Sequence, residues 1–304
     1  MLGEIFYWIF NMSIVTVICG LPILLIRMIK KIPRRYFVWL WLIPFARMCI
    51  PVGISSKYGI MALISRVTTK TVTVYAIADD SAFTMMNCVM GANSYFPITY
   101  KFDFLENIFT VASAVWMIVF LVIILTFFII YFVTVNEIKG ANLLKENIYV
   151  SDKVRVPLVY GMIKPKIILP HEYEKNDYEY ILMHERAHIR RGDHVIRILA
   201  LIVVCVHWFN PFAWLFLKLL YSDMELACDE AVLAKCSEAQ KKEYAHVLLS
   251  TAEKVNVFAP TLGGAKVRIR IENILSYRRF SIASAITFSA LLLAIAYVLL
   301  TNAS

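Results

Sequence analysis

Two histidines and a glutamate near the middle of the chain have the spacing of a catalytic zinc site. His184, Glu185 and His188 form the pattern H-E-x-x-H. Nothing between Tyr178 and His188 breaks a helix, so the two imidazoles should lie one turn apart on one helix face. Histidines at i and i+4 can bind one zinc ion, and the glutamate beside them can take a proton from zinc-bound water. The pattern therefore predicts Zn²⁺ as cofactor, His184 and His188 as ligands, and Glu185 as the catalytic base.

A catalytic zinc ion needs a third protein ligand, and three downstream residues are candidates. Glu225 is favoured, because a helix that carries it places Asp229 one turn further on, where a carboxylate can hold the second ring nitrogen of a histidine ligand. His194 has the +10 spacing of the metzincin proteases, but these need glycine at +7, where this chain has Arg191. His207 lies in an apolar run, where a buried structural histidine is the more common finding. The alternative for Glu225 and Asp229 is a solvated helix face.

Such a site would hydrolyse a peptide bond. The zinc ion would polarise the scissile carbonyl, and Glu185 would move a proton from water to the leaving amine. His207 and Tyr221 are both candidates to stabilise the oxyanion, and spacing alone leaves that choice open.

The composition indicates a membrane protein with a basic surface. Of 304 residues, 60% are hydrophobic, against roughly 45–50% in soluble domains. The net charge of +9 favours membrane orientation and contact with anionic membrane lipid over direct nucleic-acid binding, for which no motif is visible. The six cysteines show no C-x-x-C spacing, and we expect no disulfide framework.

Four apolar segments predict four transmembrane helices, at residues 5–28, 36–54, 107–134 and 281–300. Five basic residues in the short loop after the first segment mark that loop as cytoplasmic; they are Arg27, Lys30, Lys31, Arg34 and Arg35. The predicted organisation is two spans in residues 1–54, an extracellular loop in 55–106, a third span in 107–134, a cytoplasmic protease domain in 135–279, and a fourth span in 280–304. Both termini would then be extracellular.

The predicted cytoplasmic domain begins with short strands and continues with helices. Residues 147–150, 155–160 and 166–170 are strand-like and could offer an edge for an extended substrate peptide, or form a small structural sheet. Residues 195–220 are long and apolar, but Asn210-Pro211 should split them into two pieces, each too short to span a bilayer.

The chain resembles the BlaR/MecR family, bacterial integral-membrane zinc proteases that signal β-lactam exposure. The resemblance rests on five motifs in the family's order, at residues 156–161 (VPLVYG), 164–170 (KPKIILP), 184–193 (HERAHIRRGD), 207–211 (HWFNP) and 225–230 (ELACDE). It implies a predominantly α, polytopic membrane protein with four transmembrane helices and a cytoplasmic gluzincin-like domain of helices and a small β-sheet. It also implies Glu225 as the third zinc ligand.

The resemblance further implies a partner and a location. The substrate would be a cytoplasmic winged-helix repressor of the BlaI/MecI type, whose cleavage turns on antibiotic-resistance genes, and the protein would reside in the bacterial cell membrane. Members also cut themselves before the last helix, which corresponds here to residues 271–280. The sequence ends at Ser304, and no S-x-x-K motif lies on a predicted outside segment, so we expect this chain to lack the family's C-terminal penicillin-binding sensor, either as a truncated form or as a short member with another input.

Two other functions compete with this interpretation. A quality-control membrane protease like the HtpX group also uses H-E-x-x-H and a distant glutamate. A non-enzymatic signalling scaffold would have a structural zinc site, which normally closes with four protein ligands. The activating signal and the oligomeric state are not fixed by the sequence, and a homodimer is one candidate assembly.

Overall fold

The computed structural model describes residues 2–29, 32–50, 56–60, 62, 103–154, 156–171, 175–255, 260–277 and 281–301. The protein is mainly helical with a small mixed sheet. The N-terminal helices are α1 (Leu2–Arg27), α2 (Arg34–Cys49) and α3 (Asp103–Ile138). The strands are β1 (Asn142–Lys145), β2 (Ile148–Ser151), β3 (Leu158–Tyr160) and β4 (Lys166–Pro170). The remaining helices are α4 (Lys175–Arg191), α5 (Asp193–Val206), α6 (Pro211–Leu233), α7 (Glu238–Val255), α8 (Pro260–Ser276) and α9 (Ile282–Leu300).

The four strands form a sheet in the order β1-β2-β4-β3. β2 and β4 run parallel, whereas β1 and β3 pair antiparallel at the two edges. Ile167 and Leu169 of β4 are fully buried and pack with Ile181 of α4 and Val247 of α7. This apolar contact fixes α4, the helix that carries the H-E-x-x-H pattern, against one face of the sheet.

α6 forms the centre of the helical part, because it packs against α1, α2, α4 and α8. Phe216 of α6 and Trp41 of α2 are fully buried in the same core. Phe216 presses against Gly20 of α1, where a Cβ atom would lie 2.1 Å from the ring. A larger residue at position 20 would force the two helices apart.

Three of the described helices are long and apolar enough to cross a membrane, at Leu2–Arg27, Ile108–Asn136 and Ala283–Leu300. The expected fourth crossing, residues 36–54, is not confirmed. α2 has 16 residues, which is about 24 Å at 1.5 Å per residue and short of a ~30 Å hydrocarbon core. Arg47 near its end is buried and donates to the carbonyl oxygens of Leu299 and Thr301, at 3.3 Å each. Most apolar side chains of α2 are likewise buried within the protein.

The predicted break in the apolar run 195–220 is confirmed. α5 ends at Val206 and α6 begins at Pro211. Asn210 caps α6, because its side chain accepts a hydrogen bond of 3.0 Å from the Phe212 amide. The predicted extracellular loop 55–106 lies largely outside the described residues.

Candidate metal centre

Two neighbouring helices bring together three side chains that could hold a metal ion. α4 presents Nε2 of His184 and Nε2 of His188, which lie 3.1 Å apart. α6 presents Glu225, whose carboxylate oxygens lie 3.4 Å from His184 Nε2 and 3.5 Å from His188 Nε2. These donor atoms form one compact group within the part of the chain that the structure describes.

The spacing of these donor atoms fits a tetrahedral zinc ion. Zinc–ligand bonds of ~2.0–2.1 Å imply about 3.3 Å between neighbouring ligand atoms, close to the 3.1–3.5 Å found here. Two imidazoles and a carboxylate are a typical donor set for catalytic zinc, and three protein ligands leave the fourth position open for water. The residues present therefore fit a catalytic metal ion.

His184 is oriented by a buried network on the far side of its ring. Its Nδ1 lies 2.9 Å from the Tyr244 hydroxyl and 3.2 Å from Oδ1 of Asp229. Tyr244 also donates to Asp229, and Arg270 of α8 forms two hydrogen bonds with the same carboxylate, at 2.7 and 2.8 Å. An acceptor beside Nδ1 favours the tautomer that leaves Nε2 free for a metal ion.

His188 is oriented by Asp193, which a left-handed turn brings beneath it. Gly192 has φ +71° between α4 and α5, a backbone conformation that side chains other than glycine rarely adopt. The turn places Asp193 Oδ2 2.8 Å from His188 Nδ1. The buried Cys228 thiol lies 3.1 Å from the same nitrogen and donates to Asp193 at 3.2 Å.

Two arginines contact the carboxylate of Glu225 from opposite sides. Nη2 of Arg197, on α5, donates to Oε1. Nη1 of Arg270 lies 3.4 Å from Oε2. Each carboxylate oxygen therefore faces one arginine and one histidine, and the site combines two cationic groups with the donor atoms of a metal ion.

Burial and pairing shift the pKa values of these groups. Burial disfavours the His184 imidazolium, but hydrogen bonds to Asp229 and Glu225 outweigh it and raise the pKa of His184 to about 9. The pKa of His188 is also raised, because hydrogen bonds to Asp193 and Glu225 overcome burial. Burial would raise the pKa of the Glu225 carboxyl, yet the two histidines hold it well below its usual range. Both aspartates likewise have lowered pKa values, since Arg270 outweighs burial for Asp229 and His188 does so for Asp193.

The other sequence-predicted residues lie in different surroundings. Glu185 is on α4 between the two histidines and is partly exposed. His194 contacts the carbonyl oxygen of Met162 at 3.2 Å, and His207 is buried with Nδ1 2.7 Å from the Ser13 hydroxyl. Neither joins the metal-binding group among the described residues. The Tyr221 hydroxyl donates to the backbone oxygen of Arg197 at 2.9 Å, which leaves it unsuited to an oxyanion.

Four residues of the site escaped the sequence interpretation, namely Asp193, Arg197, Tyr244 and Arg270. Asp193 had a signal, because a glycine directly after the motif helix followed by an acid is a turn that can fold back on the helix. The other three gave none, because each reaches the site from a different helix.

A helix carrying H-E-x-x-H, a carboxylate from a second helix and flanking apolar helices together define a membrane metallopeptidase. Comparison with known proteins agrees with this class. The family model described as BlaR1 peptidase M56 matches residues 7–274. The match covers most of the chain, so the protein belongs to this family, whose members are metalloproteases.

Two curated relatives show the range of the similarity. The chain is 32% identical over 102 residues to the regulatory protein BlaR1 of Bacillus licheniformis, which is 33% of this chain and 17% of that protein. It is 27% identical over 103 residues to the methicillin resistance mecR1 protein of Staphylococcus aureus, which is 33% of this chain and 18% of that protein. The matched part thus spans less than a fifth of either relative.

Proposed function

We propose that this protein is a membrane zinc metalloendopeptidase of a signalling pathway, with His184, His188 and Glu225 as zinc ligands. The convergence of their three donor atoms at 3.1–3.5 Å is the observation that carries the proposal. Asp229 and Asp193 would fix the ligand imidazoles through their second ring nitrogens. Three protein ligands would leave a fourth position for water, which favours a catalytic over a structural zinc site.

The chain's own groups divide the work of peptide hydrolysis. When bound, the zinc ion supplies Lewis-acid polarisation of the carbonyl and a lowered pKa for water. Glu185 takes the proton of the attacking water and gives it to the leaving amine. The outer edge of β3, which packs near α4, offers backbone groups along which an extended substrate strand would lie.

We propose a cytoplasmic winged-helix repressor of the BlaI/MecI type as the substrate. The relatives, a regulatory protein and a methicillin resistance protein, support a role in resistance signalling. The basic residues around the α1–α2 turn favour a cytoplasmic position for that turn. The metal centre would then be cytoplasmic and both termini extracellular, in a bacterial cell membrane.

Self-cleavage in residues 271–280 is a second expected reaction. Residues 271–276 belong to α8, and Ile274 is buried against Tyr244 and Leu248. Proteases bind backbone in an extended form, so a cut within α8 requires this turn of helix to unwind first. A site just after Ser276 would need less unfolding.

Cleavage of a co-expressed BlaI-type repressor tests the proposal. Membranes carrying the wild type and zinc should cut the repressor, and Glu185→Gln should not, because it keeps the shape of the side chain but cannot take a proton. Arg190→Gln, an exposed change on the same helix, is the matched control and should cut normally. A wild type that binds zinc but leaves both the repressor and itself intact would refute the regulatory function.

A further inference from the structure

The two arginines on Glu225 differ in how they are held. Arg270 uses Nε and Nη2 on Asp229, so most of its hydrogen-bonding capacity is already committed to a buried carboxylate. Arg197 has one contact to the site, from Nη2 to Oε1 of Glu225. Its side chain is 37% exposed, against 22% for Arg270. Arg197 is therefore the arginine with donors left for another molecule.

Tyr221 contacts both the backbone and the side chain of Arg197, and the Arg197 guanidinium points towards the metal centre. Its backbone oxygen accepts from the Tyr221 hydroxyl at 2.9 Å, and its guanidinium carbon lies 5.7 Å from the centre of the Tyr221 ring. Its Nε is buried and has no hydrogen-bond partner among the described residues. A buried donor without a partner is costly, so the hydrogen-bonding capacity of this guanidinium is not used up by the described residues.

We infer that Arg197 binds the substrate's scissile carbonyl and stabilises the oxyanion that forms there. The inference rests on the proposed peptidase function. Water oxygen adds to the carbonyl carbon while Glu185 takes a water proton, and the carbonyl π electrons move onto its oxygen. Arg197 donates a charge-assisted hydrogen bond to that oxygen. The C–N bond then breaks, and the amine nitrogen takes the proton held by Glu185.

The alternatives within reach of the site are weaker. Arg270 is tied to Asp229, and the Tyr221 hydroxyl is turned to the backbone of α5. A guanidinium stays charged through the reaction and needs no proton exchange to act as a donor. Its partner on Glu225 is Oε1, whereas Arg270 lies beside Oε2, so the two guanidinium groups do not share an acceptor atom on that carboxylate.

A transition-state mimic separates this role from mere support of Glu225. The probe is a peptide phosphinate, in which a tetrahedral anion replaces the scissile carbonyl, added to the zinc-loaded full chain in detergent. Arg197→Gln should weaken phosphinate binding by about 100-fold, in line with the loss of one oxyanion donor. Zinc affinity, measured by competition with a chromogenic chelator, should change by less than about 3-fold. Arg197→Lys should recover part of the phosphinate affinity, and Arg190→Gln should bind as the wild type does.

Two results would overturn the inference. Equal phosphinate affinity in the wild type and Arg197→Gln, whether tight or weak, would show that the guanidinium does not contact the tetrahedral group. A parallel loss of zinc and phosphinate affinity would make Arg197 a support for the ligand Glu225. Repressor cleavage by the wild type is recorded separately. Its failure would refute the proposed function, whereas the phosphinate comparison would still decide the role of Arg197.

Discussion

α6 carries two buried aspartates in almost the same chemical setting. Asp223 accepts two hydrogen bonds from Arg27, at 2.9 and 3.0 Å, and one from Trp41 at 2.8 Å. Asp229 accepts two from Arg270 and one from the Tyr244 hydroxyl. Both carboxylates are fully buried, so each needs its arginine to offset the loss of hydration.

The two aspartates differ in what lies beyond the arginine. Six residues advance the helix by about 600°, which leaves the two side chains about 120° apart around the axis. Asp223 faces α1 and α2, and its partners Arg27 and Trp41 join α6 to these two helices. Asp229 faces α4 and lies 3.2 Å from a ring nitrogen of His184. The same ion-pair chemistry thus anchors the helix on one face and holds His184, a proposed metal ligand, on the other.

Asp229→Ala should have the largest effect, because it damages both the fold and the metal centre. It leaves the Arg270 guanidinium without its buried partner, which costs about 3–5 kcal/mol in comparable pairs. It also removes the carboxylate beside His184 Nδ1 and leaves the Tyr244 hydroxyl there, and loss of such a carboxylate typically weakens metal binding about 10–100-fold. Thermal unfolding in detergent and zinc competition would measure the two effects. Unchanged zinc affinity would show that Asp229 does not orient His184.

Asp223→Ala should lower stability by a comparable amount, about 3 kcal/mol or more, without touching the zinc ligands. Its removal takes the carboxylate acceptor away from Arg27 and from the Trp41 indole but leaves His184, His188 and Glu225 in place. Zinc affinity of the remaining folded protein should stay within about 3-fold of wild type. A 10-fold or larger loss of zinc affinity would contradict the separation of the two faces and indicate that α6 transmits the change to the metal centre.

The sequence predicted what depends on local pattern. Helix periodicity gave α4 with His184 and His188 on one face, and Asn210-Pro211 gave the break before α6. Arg270 could not be predicted, because it reaches Asp229 across 41 positions and no spacing rule joins the two. The span expected at residues 36–54 is not confirmed, because α2 ends at Cys49 and its apolar residues Phe37 and Trp41 pack inside the protein. Burial against protein and burial in lipid give the same hydropathy.

Zinc removal should affect the stability of the Asp223→Ala and Asp229→Ala variants to different extents. At free zinc 100-fold above Kd, the bound ion stabilises the wild type by about 2.7 kcal/mol, and a chelator should remove that stabilisation. Asp223→Ala should lose the same amount, because its zinc site is intact. Asp229→Ala, with zinc binding at least 10-fold weaker, should lose about 1.4 kcal/mol or less under the same conditions. The measurement is the shift in unfolding temperature with and without chelator, and equal shifts in all three proteins would contradict the comparison.

The smallest effects are expected from substitutions that remove one minor partner of each aspartate and keep its bidentate arginine. Tyr244→Phe removes the hydroxyl between Asp229 and His184 Nδ1 and should cost about 1.5 kcal/mol of stability and about 10-fold in zinc affinity. Arg34→Gln removes a 3.8 Å ion pair to Asp223, a longer contact worth about 1 kcal/mol or less. It should leave zinc affinity unchanged, because the described contacts of Arg34 and Asp223 include none of the proposed zinc ligands. If Arg34→Gln weakened zinc binding as much as Tyr244→Phe does, the Asp223 side and the Asp229 side of α6 would not be independent of each other.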